Sequence, residues 1–264
     1  MKGMNPAQKI VINIDEQFPQ LSQAPVIEAV MDIRALARQP FEEETVRQAL
    51  EPRLTGFRFL DSHREFQHEV RIAAGSNPEQ CVRDLGWKGL RFQSEDQKKI
   101  VQFNRDGFVA SRLEPYPDWT TFAEEGFDLW EIFCDIARPV EINRLGLRYI
   151  NRIELPLDDP KLSDYVKHPP QPPKGLNLPY MGFMHHETFA VPGHAYAINF
   201  IRTIQPADPD TGRGPGLILD IDVFTTMGVA WPTDDLARCF AEMRWLKNKI
   251  FFGTITEKTL ENLR

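Results

Sequence analysis

Residues 140–156, VEINRLGLRYINRIELP, constrain the fold more than any other stretch. Side chains alternate across a β-strand. Asn143, Leu145, Leu147, Tyr149, Asn151, Ile153 and Leu155 then share a mostly apolar face, and Arg144, Gly146, Arg148, Ile150, Arg152 and Glu154 share the other. A spacing of four also suits one side of a helix, but Gly146 and the β-branched Ile150 and Ile153 favour a strand. Pro156 cannot donate to a ladder and ends it. Arginines four apart on a strand stand ~13 Å from one another at about 3.3 Å per residue. They repel by about 1.3 kcal/mol at an effective dielectric near 20. Solvent absorbs that cost. A half-buried face needs carboxylates or a bound anion, because arginine stays charged.

The chain supplies such carboxylates. Pro25 opens a strand to Arg34, with Ile27, Ala29, Met31 and Ile33 on one face and Glu28, Asp32 and Arg34 on the other. Residues 217–226 read as a strand with Leu217, Leu219, Ile221 and Val223 inward and Asp220 and Asp222 outward. Arg144, Arg148 and Arg152 can therefore meet Glu28 and Asp32, or Asp220 and Asp222, across neighbouring strands, at a few tenths to about 1 kcal/mol each. Trp87, Lys88, Arg91 and Arg112 are candidates to extend the face. The two readings are a charge-paired sheet face and a groove for an anionic ligand or an acidic partner.

Between these strands the sequence predicts a helix over 41–54, with Glu42, Glu43 and Glu44 near its N-terminus. It predicts strands at 64–74, 90–93, 98–103 and 108–113, a turn at Gly75 to Pro78 and a hairpin turn at Asn104 to Gly107. A helix follows Pro117-Asp118-Trp119-Thr120 and runs to about Ala137, with Phe122, Phe127, Trp130, Phe133 and Cys134 as its apolar side. Residues 157–180 are rich in proline and read as a stiff linker. Beyond it come strands at 182–191 and 195–204, and a helix capped by Thr233 that starts at Asp234 and carries Leu236, Cys239, Phe240, Met243, Leu246 and Ile250. The expected fold class is α+β: antiparallel, curved sheets with long amphipathic helices packed on one face. The expected organisation is an N-terminal extension (1–24), a sub-domain over 25–156, the linker, and a smaller sub-domain over 181–264. Whether the two parts share one sheet is left open.

Composition narrows the function. The formal net charge is -7, which disfavours a duplex nucleic-acid binder without forbidding a local basic face. Cys81, Cys134 and Cys239 are widely spaced and include no CxxC pair, so neither a disulfide framework nor a zinc site is expected and a reducing compartment is. No apolar run is long enough for a membrane span, and no signal peptide is apparent; a soluble, cytoplasmic protein is expected.

Asp220 and Asp222 lie ~6–7 Å apart on one strand face, a spacing that can hold Mg²⁺ or Mn²⁺ against a nucleotide or phosphate. The Gly-Ser turn that nucleotidyltransferases place upstream is missing. His185 and His186 point to opposite faces and, with His194, lack a completing ligand. Gly212 to Gly216 precedes a strand, so it lacks the helix N-terminus of a phosphate loop. No catalytic residue, metal or cofactor is assigned.

Three segments resemble a sporadically distributed, functionally uncharacterised family of bacterial proteins: PVIEAV at 25–30, GLRYINR at 146–152 and LKNKIFF at 246–252. The resemblance implies no catalytic residue and no ligand. The patchy distribution implies the kind of role that accessory genes have, such as phage-defence or toxin–antitoxin components. The expected function is a non-catalytic binding or interaction protein that uses the arginine face. The alternatives are a Mg²⁺- or Mn²⁺-dependent enzyme at Asp220 and Asp222, and a nucleic-acid binder.

Overall fold

A computed structural model describes residues 9–264 except 39, 72–78, 158–160, 172, 174, 176, 177, 179–181 and 230–234. The expected turn at Gly75 to Pro78, the cap Thr233 and the helix start at Asp234 lie outside the described residues. Chain order is β1 (Val26–Arg34), α1 (Glu43–Leu50), β2 (Phe57–Arg71), β3 (Glu79–Ser94), β4 (Lys99–Asn104), β5 (Gly107–Leu113), α2 (Trp119–Ala137), β6 (Arg144–Glu154), β7 (Met184–Ala190), β8 (Tyr196–Gln205), β9 (Gly216–Thr225), α3 (Leu236–Thr254) and α4 (Glu257–Leu263).

The strands form one nine-stranded sheet in the order β2-β3-β4-β5-β1-β6-β9-β8-β7. Every pairing is antiparallel. This corrects the α+β expectation. Strands make up 41% and helices 24% of the described residues, and α1 and α4 have only 8 and 7 residues. The sheet, not a layer of long helices, organises the chain. The excess of strand comes mainly from the β2–β3 hairpin, whose strands are 15 and 16 residues long. Most of its outer half is exposed on both faces, so the apolar alternation that reveals a half-buried strand is weak there. Among the described residues, no helix is long and apolar enough to cross a membrane.

β6 sits between β1 and β9, and it is the strand that the sequence singled out. Leu145, Leu147, Tyr149 and Ile153 are buried, continuous with Ala29, Met31 and Ile33 of β1 and Leu217, Leu219, Ile221 and Val223 of β9. α2 packs on this face, with Phe133 6.5 Å from Phe103 and 6.2 Å from Phe108 between ring centroids. Phe127 of α2 meets Phe240 of α3 at 5.9 Å. The N-terminal segment from residue 9 docks on the same side: Phe18 stacks on Phe252, and Glu16 accepts from Trp245 and pairs with Lys249. Asp118 caps α2 by accepting from the Thr121 amide, and Arg138 ends it in the left-handed region at φ 47.

Candidate functional site

The opposite face of the sheet carries the polar residues. Registers place Val30 against Arg148, Asp32 against Gly146, and Arg148 against Asp222. The acids of β1 and β9 thus flank the arginines of β6. Arg144 donates from Nη1 to Asp32 at 2.8 Å and from Nη2 to Asp222 at 3.3 Å, and its guanidinium lies 4.9 Å from the Phe224 ring centre. Arg148 holds Asp220 with Nε and Nη2, at 2.8 and 2.6 Å. Its side chain remains 45% exposed. The bidentate contact lifts the Arg148 pKa further above the usual arginine range. Burial pushes the Asp222 carboxyl up, against the pull of Arg144 and Arg148.

The five arginines expected to act together do not. Arg152 is only 4% exposed; it is committed to Gln205, Glu154 and the Gly214 carbonyl. It is an internal tie between β6 and the segment leading into β9, with no donor surface to offer. Arg112 pairs in register with Ala29, which puts it on the helix side of the sheet. Arg91 is on the polar face but grips Asp61 with two nitrogens, and that contact lowers the Asp61 pKa. Among the described residues Glu28 forms no ion pair; it only adds to the field at Arg148.

What remains is a groove of about 330 Å³ lined by Arg34, His63, Lys88, Arg144, Arg148, Asp32 and Asp222, with Gln102 and Asn104 on its floor. These residues come from β1 to β4, β6 and β9. In a flat sheet β2 and β9 would lie ~29 Å apart, at about 4.8 Å per strand. Their convergence on one hollow means that the sheet curls toward this face. Register shifts in β2–β3 at Phe59/Asp61, His63/Arg64 and Glu65/Phe66 provide the bend. Arg34 pairs with Asp32 and Asp106, and His63 with Asp61. Lys88 makes no ion pair with a described residue.

The metal alternative gains nothing from this geometry. Asp220 is held by Arg148 and Asp222 by Arg144, so a cation would have to displace two guanidinium groups. Among the described residues no group of three or more histidine, cysteine or acidic side chains is placed to hold a metal ion. His186 pairs with Ile201 and His185 with Arg202, which leaves them on opposite faces of the β7–β8 ladder, while His194 contacts the Ile10 carbonyl at 2.7 Å.

No known family, curated protein or solved structure matches the chain. The reading of the site therefore rests on its own residues.

The sequence reading missed one cluster. On α3, Arg244, Lys247, Asn248 and Phe251 follow the i, i+3, i+4, i+7 spacing of a helix stripe and face a second hollow, of about 530 Å³, on the helix side of the sheet. The expected apolar stripe through Phe240, Met243 and Leu246 runs beside it. The signal was present, because two cations and an amide at core spacing break the amphipathic pattern. Segments 25–30, 146–152 and 246–252 all reach this hollow, through Pro25 and Val26, Tyr149 and Asn151, and Lys247 and Asn248.

Proposed function

We propose that the protein is a non-catalytic binding protein whose ligand presents an anionic group, carboxylate or phosphate, to the polar groove. The observation that carries this reading is the lining itself. Four cations, Arg34, Lys88, Arg144 and Arg148, line the groove beside Asp32 and Asp222, and Asp106 and Asp220 also pair with Arg34 and Arg148. Lys88 has no described ion-pair partner, and Arg148 keeps Nη1 free of hydrogen bonds among the described residues. These open donors of Lys88 and Arg148, beside cations already held by acids, favour an incoming anion over water. A cytoplasmic setting fits the three free thiols.

The test is titration calorimetry with tripolyphosphate and with citrate. Replacing Lys88 by alanine should weaken binding about tenfold or more, the usual loss for a hydrogen bond to a charged group. The unfolding temperature should stay in place, since Lys88 supports no ion pair. Affinity should also fall as salt rises. Equal affinity in the wild type and Lys88→Glu, or no heat with either anion, would remove the proposal.

A further inference from the structure

The hollow on the other face has a different chemistry. Its wall is aromatic: Trp119 from the start of α2, Tyr149 from β6, Tyr116 from the loop between β5 and α2, and Phe18, Phe251 and Phe252. Into it project Arg244, Lys247 and Asn248. The Lys247 ammonium lies 4.0 Å from the centre of the Tyr149 ring, and the Arg244 guanidinium 5.6 Å from that of Trp119. Neither cation pairs with a carboxylate among the described residues. Asn248 is only 6% exposed, and its amide makes no hydrogen bond to a described residue. Among the described residues Asp118 is the one acidic side chain in the wall, and both of its oxygens are taken by Thr121. The hydroxyls of Tyr116 and Tyr149 meet at 2.9 Å.

Stability does not explain this arrangement. An ammonium partly withdrawn from water without a counter-ion among the described residues is unfavourable, and an apolar side chain of the same length would pack there at less cost. The next residue, Asn248, is nearly buried and still places an amide, not an apolar group, at the hollow. Two such polar groups on adjacent positions of one helix mark a place where local rules are broken for a purpose. The volume is in the range of small-ligand sites, ~300–1,000 Å³, and the pattern of an aromatic wall with a few convergent polar groups is what such sites show.

We propose that this hollow binds a small organic anion carrying a flat ring, with its acidic group on Arg244, Lys247 and Asn248 and its ring against the aromatic wall. The site is separate from the polar groove, which lies on the opposite face of the sheet, and does not depend on it. Phosphate and carboxylate head groups satisfy the same donors.

Titration behaviour agrees with the geometry. Burial, then the neighbouring Arg244, push the Lys247 pKa down to about 7. The groups facing it are Arg244, the Tyr116 and Tyr149 hydroxyls, and Asp118. Burial pushes Tyr116 up to about 12 and Tyr149 up as well, so near neutral pH Lys247 is the residue that changes charge. A bound anion favours its protonated form, so binding at pH 8 takes up a proton. Without ligand the sign is fixed as well. The folded chain binds fewer protons than the unfolded one between about pH 7 and the usual lysine range, so the contribution of Lys247 to stability rises with pH across that window.

The experiment is titration calorimetry on the full chain with adenosine 5′-monophosphate and with indole-3-carboxylate, and with adenosine and inorganic phosphate as separate halves. At least one ring-bearing anion should bind at least tenfold more tightly than either half, and which one does so identifies the head group. Lys247→Met should lose at least tenfold in affinity and lose the proton uptake that buffers of different ionisation enthalpy reveal at pH 8. Its unfolding temperature should be unchanged or higher, which separates lost binding from lost folding. If neither ring-bearing anion binds at millimolar concentration, or if Lys247→Met binds as the wild type does, the proposal is overturned.

Discussion

Two arginines of β6 lie over glycines, and the difference between them is instructive. A methyl group at Gly216 would stand 2.5 Å from Nε of Arg152, 2.7 Å from its Cζ and 2.9 Å from its Cγ. One at Gly146 would meet the tip of Arg144, with Nη1 at 2.8 Å. The close approach is similar, but the freedom to relieve it is not. Arg152 is enclosed and fixed by three partners, whereas Arg144 is a half-exposed side chain whose end can swing into the groove. Gly216→Ala should therefore cost about 1–3 kcal/mol, the usual cost of overpacking a filled site. Gly146→Ala should cost less than about 1 kcal/mol. Urea unfolding of the two variants checks this. In the Gly216→Ala background, trimming Arg152 to alanine should cost less than it does in the wild type, because the clash and the buried guanidinium are removed together. Equal losses at the two glycines would mean that Arg152 is as mobile as Arg144.

At the scale of elements, what the sequence disclosed follows burial. β1, β6 and β9 each have one face in the core, and their apolar alternation places them within two residues of the expected ends, except that the N-terminal end of β6 falls at Arg144 rather than near 140. α2 was equally legible, expected after Thr120 and ending at Ala137, although its Asp118 cap was not foreseen. The pairing of Arg144 and Arg148 with acids of the adjacent strands followed from a simple argument: half-buried cations on one face need anions within reach. The same alternation could not foretell that Arg152 is buried, since the segment that covers it is remote in sequence. Nor could it place Arg112 on the helix side, which depends on the register with Ala29. The β2–β3 hairpin was the least legible. β4 pairs only with residues 89–93 of β3, so the part beyond it is a two-stranded ribbon held by its own ladder. Residues 64–70 and 80–85 are exposed, and Phe66, Val82 and Val70, at 52, 56 and 56% exposure, line one side of it. A free two-stranded ribbon is marginal in water, so it contributes little to the stability of the sheet. Replacing residues 66–84 by Asn-Gly should shift the unfolding temperature by less than about 4 °C, the equivalent of roughly 1–2 kcal/mol in a chain of this size. A loss of cooperative unfolding in that variant would show that the ribbon supports the sheet.

For the whole molecule, the decisive fact is that strands from both sides of the proline-rich stretch enter one sheet through the β6–β9 ladder, which runs from Gly146↔Phe224 to Glu154↔Gly216. α3 closes the same seam, with Phe240 against Phe127 of α2 and Lys247 over Tyr149. Residues 25–156 alone would leave β6 as an open edge with its central N–H and C=O groups unpaired, and would expose Leu147 and Tyr149 where α3 should lie. Such an edge invites pairing with other chains. The polar face would suffer too, because Arg148 would lose Asp220 and Arg144 would lose Asp222 while both acids went with the other fragment. The full chain is therefore expected to unfold in one transition, with coincident urea midpoints for tryptophan fluorescence and far-ultraviolet circular dichroism. The fragment spanning 25–156, produced by itself, should be aggregated or lack a cooperative transition, and the fragment spanning 181–264 should do no better. Folding of either fragment with a sharp transition of its own, or two separated midpoints in the full chain, would mean that the β6–β9 ladder joins two bodies that are stable apart, and that the arginine–carboxylate pairs across it are a docking contact rather than part of one core.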